Sequence, residues 1–187
     1  MKLFTKSNQL STLYFCGLLS LLFTTLVVAA DLDSRIFECQ QKLAIAGKFN
    51  AQYKLAFMYE KGRGIKNNQN KAIEWYMKAA ANDHNAAKHR LVYLEIKKSG
   101  FKPIHVNWIN RLKVEAEEGD AEINFLLAEI YKNGIGVKQD IKRARDYYQT
   151  STLKGNVNAE SRLFYIDQEI TKQREHKAEK SACRKSS

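Results

Sequence analysis

The run Ala51-Gln52-Tyr53-Lys54-Leu55-Ala56-Phe57-Met58-Tyr59, followed by Gly62-Arg63-Gly64-Ile65 and then by Lys71-Ala72-Ile73-Glu74-Trp75-Tyr76-Met77-Lys78-Ala79-Ala80, decides the fold of this chain. Ala51, Gln52, Leu55, Ala56 and Tyr59 fall on one face of a first helix, at the spacing of three and four that a 3.6-residue turn requires. Gly62 supplies a left-handed position past that helix, Gly64 lets the chain reverse, and Ile65 is placed to tuck an apolar contact under the turn. Asn67 or Asn68 can cap a second helix, whose inward stripe is Ala72, Trp75, Tyr76, Ala79 and Ala80. Small alanines at facing positions let the two helices approach closely, with Trp75 and the tyrosines filling gaps.

The same hairpin occurs again. Sliding the sequence by 72 residues superimposes Ala44 on Ala116, Gly47 on Gly119, Leu55-Ala56 on Leu127-Ala128, Tyr59 on Tyr131, Gly62 on Gly134 and Gly64 on Gly136. The match continues through Lys66 and Lys138, Ala72 and Ala144, Tyr76 and Tyr148, Ala87 and Ala159, Arg90-Leu91 and Arg162-Leu163, and Tyr93 and Tyr165. Chance would supply roughly three identities in such a window, so duplication is a firm inference. Leu91 and Ala116 fall halfway, in register with Leu55 and Ala80, so the period is 36 and a worn middle copy fills the gap. The array reads as a leading helix over 32–46, a good copy over 49–82, a degenerate copy over 86–119 with Pro103 at its connection, a second good copy over 121–154 and a closing helix over 158–167. The expected fold class is all-α, an α/α solenoid of antiparallel helix pairs with terminal helices as caps.

Flanking segments read differently. Residues 1–30 have the layout of an export signal: Lys2 and Lys6, an apolar stretch from Leu13 to Ala30, and Val28-Ala29-Ala30 before Asp31. The expectation is a periplasmic or secreted protein, with a retained membrane anchor as the alternative. Phe15 before Cys16 argues against lipidation. Residues 168–187 carry six Lys or Arg and three Glu, and are expected to form a basic, flexible tail. The whole chain has 31 Lys plus Arg against 20 Asp plus Glu. Such an excess suits an acidic protein or an anionic surface, and export makes nucleic acid the least suitable partner. Peripheral association with the envelope is compatible with it. Cys39 and Cys183 could pair in an oxidising compartment only if the chain ends meet.

Catalytic readings find little support. Gly62-x-Gly64 follows a helix rather than a strand and lacks a third glycine, so it is a turn and no nucleotide fingerprint. His84, His89, His105 and His176 show no metal-ligand spacing and read as surface residues. Cys39 and Cys183 stand in no nucleophile motif, and Glu117-Glu118 beside Gly119 is an ordinary helix end. No catalytic residue, metal site or cofactor is expected. Between Asn82 and Val114, seven basic residues face two acids, a candidate second basic patch, with Trp108 expected in the core.

The two good hairpins resemble the SEL-one-like repeat, a relative of the tetratricopeptide repeat. The second matches through Leu127-Ala128, Tyr131, Gly134-Ile135-Gly136-Val137, Ala144 and Tyr147-Tyr148, although Ser151 and Thr152 replace the usual closing alanines. The resemblance implies a non-catalytic adaptor that holds protein partners; the alternatives are a structural subunit of an envelope assembly, and a cell-wall-directed enzyme or a regulator of cell-wall enzymes. If first helices line the concave side, as in similar solenoids, steps of 36 give two ladders. One is Lys54, Arg90, Leu126, Arg162 and the other is Phe57, Tyr93, Glu129, Tyr165. Lys54, Phe57, Arg90, Tyr93, Arg162 and Tyr165 are therefore the expected partner-binding residues, cations interleaved with aromatics and suited to an acidic peptide or a partner helix.

Overall fold

The computed structural model describes residues 32–185, with side chains described through residue 180; the expected export signal lies outside the described residues. Helix α1 covers residues 32–45. It is followed by α2 (Phe49–Lys61), α3 (Gln69–Ala81), α4 (Asn85–Ser99), a 3-10 turn at Pro103–His105, α5 (Val106–Glu117), α6 (Ala121–Asn133), α7 (Ile141–Leu153) and α8 (Val157–Lys185). No strand occurs among the described residues. The chain has the all-α, solenoid-type repeat fold that the 36-residue period demands. It divides between Ala87 and Lys88 into two compact units.

In the first unit the hairpin α2–α3 is closed at both ends. Gly62 is left-handed at φ 70°, and its N–H donates to the Met58 carbonyl, ending α2. The chain returns so that Asn68 N–H meets the Tyr59 carbonyl at 2.9 Å. Asn68 then caps α3, its side chain accepting from Lys71 N–H at 3.0 Å. Tyr76 donates to the buried Glu60 carboxylate at 2.9 Å, and Asn82 reaches Gln52 at the other end, which makes the pair antiparallel. Ala72, Tyr76 and Ala79 are fully buried, as the stripe predicts. Trp75 is only half-buried and lies under Lys78, 4.1 Å from its ring centre, and Ile65 is exposed rather than tucked away. α1 lies antiparallel on α2, with Phe37 edge-on to Tyr59 at 5.3 Å, Arg63 paired to Asp33 at 2.7 Å, and Gln52 donating to the Ala44 carbonyl.

In the second unit α6–α7 repeats this construction. Gly134 is left-handed at φ 67°, Asp140 N–H meets the Tyr131 carbonyl at 3.0 Å, and the Asp140 side chain accepts from Arg143 N–H at 2.9 Å. Ser151, one of the two residues replacing a closing alanine, is fully buried and donates to the Ala121 carbonyl at 2.7 Å. The middle copy keeps only the second turn glycine: Lys98 stands in the register of Gly62 and Gly134, whereas Gly100, in the register of Gly64 and Gly136, is left-handed at φ 86° and ends α4. Its helices are joined through the 3-10 turn, where Lys102 N–H donates to His105 Nδ1.

Three expectations are corrected here. His89 and His105 are buried, because each satisfies its ring nitrogens inside the middle copy. His89 accepts from Trp108 Nε1 at 2.9 Å and bonds Glu115 at 2.8 Å, while His105 lies 3.3 Å from Glu95. Trp108 is half-buried, not fully in the core. The closing helix does not stop at 167. With neither glycine nor proline after Gly155, nothing breaks the backbone pattern, and α8 continues through Lys185 with its residues exposed from 171 to 180. Cys39 is exposed and free, whereas the side chain of Cys183 lies outside the described residues.

The second unit also buries Tyr148. Burial, and after it the negative charge of Glu129, pushes its hydroxyl well above the ordinary tyrosine range. The folded state therefore holds this proton more tightly than the unfolded chain. The contribution is intact below about pH 10 and is lost as pH rises beyond the ordinary tyrosine value. Tyr148→Phe will flatten the alkaline fall in melting temperature; identical slopes for both proteins would contradict the assignment.

Candidate functional site

The site that the structure assembles lies where each glycine turn folds a second helix back over the end of the first. In the second unit Asp140 caps α7, so Arg143 stands in its first turn, directly over the last turn of α6. Arg143 donates to the Tyr131 hydroxyl at 3.3 Å and its guanidinium lies 5.2 Å above the Tyr131 ring. Tyr147, one turn further along α7, stacks on Tyr131 at 5.5 Å with planes 14° apart. The bond to Tyr131 holds the Arg143 charge more firmly than usual, and burial, followed by the neighbouring Tyr131, raises the Tyr147 hydroxyl. Arg143 remains 59% exposed.

Around this pair runs a shallow groove lined by Lys113 from α5, Val137, Lys138 and Gln139 from the turn, and Lys142 and Arg143 from α7. Lys138, Lys142 and Arg143 are exposed, and Lys113 is half-exposed. Asp140 also lines the groove, 3.8 Å from Arg143 Nε, and Glu117 and Asp146 stand at its margins. Asp140 is engaged as the helix cap, so the outward-facing groups near the turn are predominantly cationic. Such a surface suits carboxylates: the guanidinium offers a planar fork of donors over an aromatic floor, while the lysines act as mobile point charges.

The first unit carries the same element at the same register. Lys71 stands 72 residues before Arg143, and its ammonium lies 5.4 Å from the ring centre of Tyr59, the counterpart of Tyr131. Lys66 and Trp75 occupy the places of Lys138 and Tyr147. A cation seated on a tyrosine beside a glycine turn is thus a repeated feature of both good copies. The sequence signal existed in the 72-residue shift, but Lys71 against Arg143 and Trp75 against Tyr147 are similarities, invisible to a comparison that counts identities.

The expected binding ladders are not brought together in this way. Lys54 is exposed, Arg162 half-exposed and Tyr165 59% exposed. Phe57 is buried at 6% exposure, and Arg90 and Tyr93 are each 1% exposed, so these three cannot line a groove. The reason is visible in the second unit. Arg90 on α4 forms a buried ion pair with Glu129 on α6 and lies 4.8 Å over Tyr93, so these ladder residues join neighbouring first helices. Glu129 and Leu126 are buried by the same packing.

Among the described residues no group of three or more His, Cys, Asp or Glu is placed to hold a metal, and no helix is long and apolar enough to cross a membrane. The profile of the Sel1 repeat matches residues 50–84 and 121–156, the two good copies. Two solved structures are similar to the chain. One is a Sel1 repeat protein from Oxalobacter formigenes, 31% identical over 70% of this chain and 54% of its own, with a TM-score of 0.40. The other is a protective antigen present in uropathogenic Escherichia coli strains and displaying an SLR fold, 29% identical over 70% of this chain and 28% of its own, with a TM-score of 0.39. No curated protein matches the chain significantly.

Proposed function

Starting from a chain that carries two Sel1 repeats, a unit that generally mediates protein–protein interaction, we propose that this protein is a non-catalytic scaffold that holds an acidic protein partner in the cell envelope or outside the cell. The observation that carries this reading is the exposed cation-on-tyrosine element at the glycine turn, present in both copies and broadened into a basic groove in the second. It retains the combination of positive charge and aromatic rings expected from sequence but moves it from the first-helix ladders to the turns. The export-like composition of residues 1–30 supports the location. Association should be salt-sensitive, because most of the attraction comes from exposed charges.

The test is affinity capture from the native envelope with the chain as purified from the cells that make it. Replacing Lys138, Lys142 and Arg143 together with Glu should reduce recovery of the captured partner roughly tenfold or more while leaving helical circular dichroism unchanged. Lys54→Glu, on the exposed rung of the old ladder, should leave capture near wild type. Unimpaired capture by the triple variant would remove the groove from the mechanism.

A further inference from the structure

The first and last helices among the described residues are complementary halves of one repeat. α1 has the register of a second helix, since 36 residues separate 33–45 from the α3 residues 69–81. Its packing says the same independently. Gln52 on α2 donates to the Ala44 carbonyl of α1, and 72 residues later Asn124 on α6 donates to the Ala116 carbonyl of α5, an authentic second helix. α8 conversely has the register of a first helix. The junction that leads into it, with Asn156 N–H on the Ser151 carbonyl and Ala159 N–H on the Asn156 carbonyl, copies the junction into α4, with His84 N–H on the Ala79 carbonyl and Ala87 N–H on the His84 carbonyl.

Among the described residues, each of these two helices exposes the face that a hairpin partner would cover. On α8, Val157 and Phe164 are 69% and 60% exposed, whereas Ala128, which occupies the place of Phe164 one period earlier, is fully buried. On α1, Leu43 is 42% exposed, whereas its equivalent Ala79 is fully buried, and Ile36, at the position of the fully buried Ala72, is half-exposed.

We infer that α1 of one copy of this chain docks on α8 of another, completing a composite hairpin of the α6–α7 type. The register of α6–α7 names the pairs. Ser151 on Ala121 becomes Leu43 on Val157, an apolar pair where the chain has two exposed apolar side chains. The registers of the fully buried Ala144 and Ala128 become those of Ile36 and Phe164. Arg143 on Tyr131 becomes Arg35 on Asp167, a cation opposite a carboxylate. Arg35 is exposed, and the Asp167 side chain keeps 46% of its surface open although it also binds Arg145. A second copy is the occupant that satisfies all three positions at once. The contact is heterologous, so it extends beyond a pair of chains unless a ring closes.

Sedimentation velocity on the full chain, purified from the cells that make it, tests this over about 1 to about 100 µM, the range of moderate association. The average mass should rise with concentration. Phe164→Glu should weaken association at least tenfold, and Arg35→Asp or Asp167→Arg should each weaken it severalfold. Combining the last two in one chain should restore it, because the pair is re-formed with its charges exchanged. Circular dichroism should be unchanged throughout. A wild-type chain that stays monomeric, an association indifferent to Phe164→Glu, or a charge exchange that fails to rescue would each overturn the inference.

Discussion

Arg90→Met will destabilise the second unit by about 3 to 5 kcal/mol, the cost of leaving one member of a buried ion pair without its partner. Arg90 is 1% exposed and Glu129 7%, and the guanidinium contributes both the pair and the cover over Tyr93. Methionine fills much of the aliphatic volume but leaves the Glu129 carboxylate desolvated beside Tyr148, whose hydroxyl already feels that charge. Replacing both members, Arg90→Met with Glu129→Met, should recover most of the loss, since a packed apolar pair avoids the desolvation penalty altogether. The period supports this choice: Leu126 occupies the register of Arg90, and Phe57 and Tyr93 occupy that of Glu129, so both places accept apolar side chains elsewhere in the array. Urea unfolding of the four proteins, read as a double-mutant cycle, checks it. A single-variant loss below about 1 kcal/mol would mean that water reaches the pair.

The same residues show how far the sequence could be read. Helix positions, the glycine turns, the Asn68 cap and the stripe Ala72, Tyr76 and Ala79 follow from local rules, because each is decided within one hairpin. The exposure of the first helices is decided between hairpins. A first helix packs against its own second helix and against neighbours on other sides, so α2 and α6 each bury nine of thirteen residues, more than one amphipathic stripe provides. The ladder reading was sound in turning Lys54 outward, since that residue is exposed. It failed for Arg90, whose charge is answered 39 residues later by Glu129. Polarity in a local pattern signals solvent only when no distant partner exists, and distance along the chain hides the partner. His89 failed in the same manner, with Trp108 and Glu115 supplied by the adjoining helix. The cation–tyrosine element was legible in principle, but only to a comparison of residue character across the 72-residue shift.

The second glycine of the first turn is where a single methyl group should do the most local damage. Gly64 has φ 68°, and a Cβ there would stand 2.2 Å from the Asp33 carbonyl oxygen. Relief cannot come from a side-chain rotation, since the obstacle is backbone at the start of α1. Gly64→Ala should therefore cost about 2 to 4 kcal/mol, combining left-handed strain with displacement of a packed element. The loss should fall on the contact between α1 and the turn, where Arg63 pairs with Asp33. Gly62→Ala provides the comparison, because it has the same sign of φ but its nearest obstacle is 3.3 Å away, at Asn67 N. Its cost should be near 1 to 2 kcal/mol, strain alone. Gly136, the counterpart of Gly64, meets the ring of Phe101 at 2.1 Å, a half-exposed side chain that can swing aside, so Gly136→Ala should fall between the two. Hydrogen exchange separates these cases from a general weakening: protection should drop across residues 32–45 in Gly64→Ala while α2 and α3 keep theirs. Uniform loss of protection through the first unit, or equal costs at Gly62 and Gly64, would show that conformational strain and not the approach of α1 governs the turn.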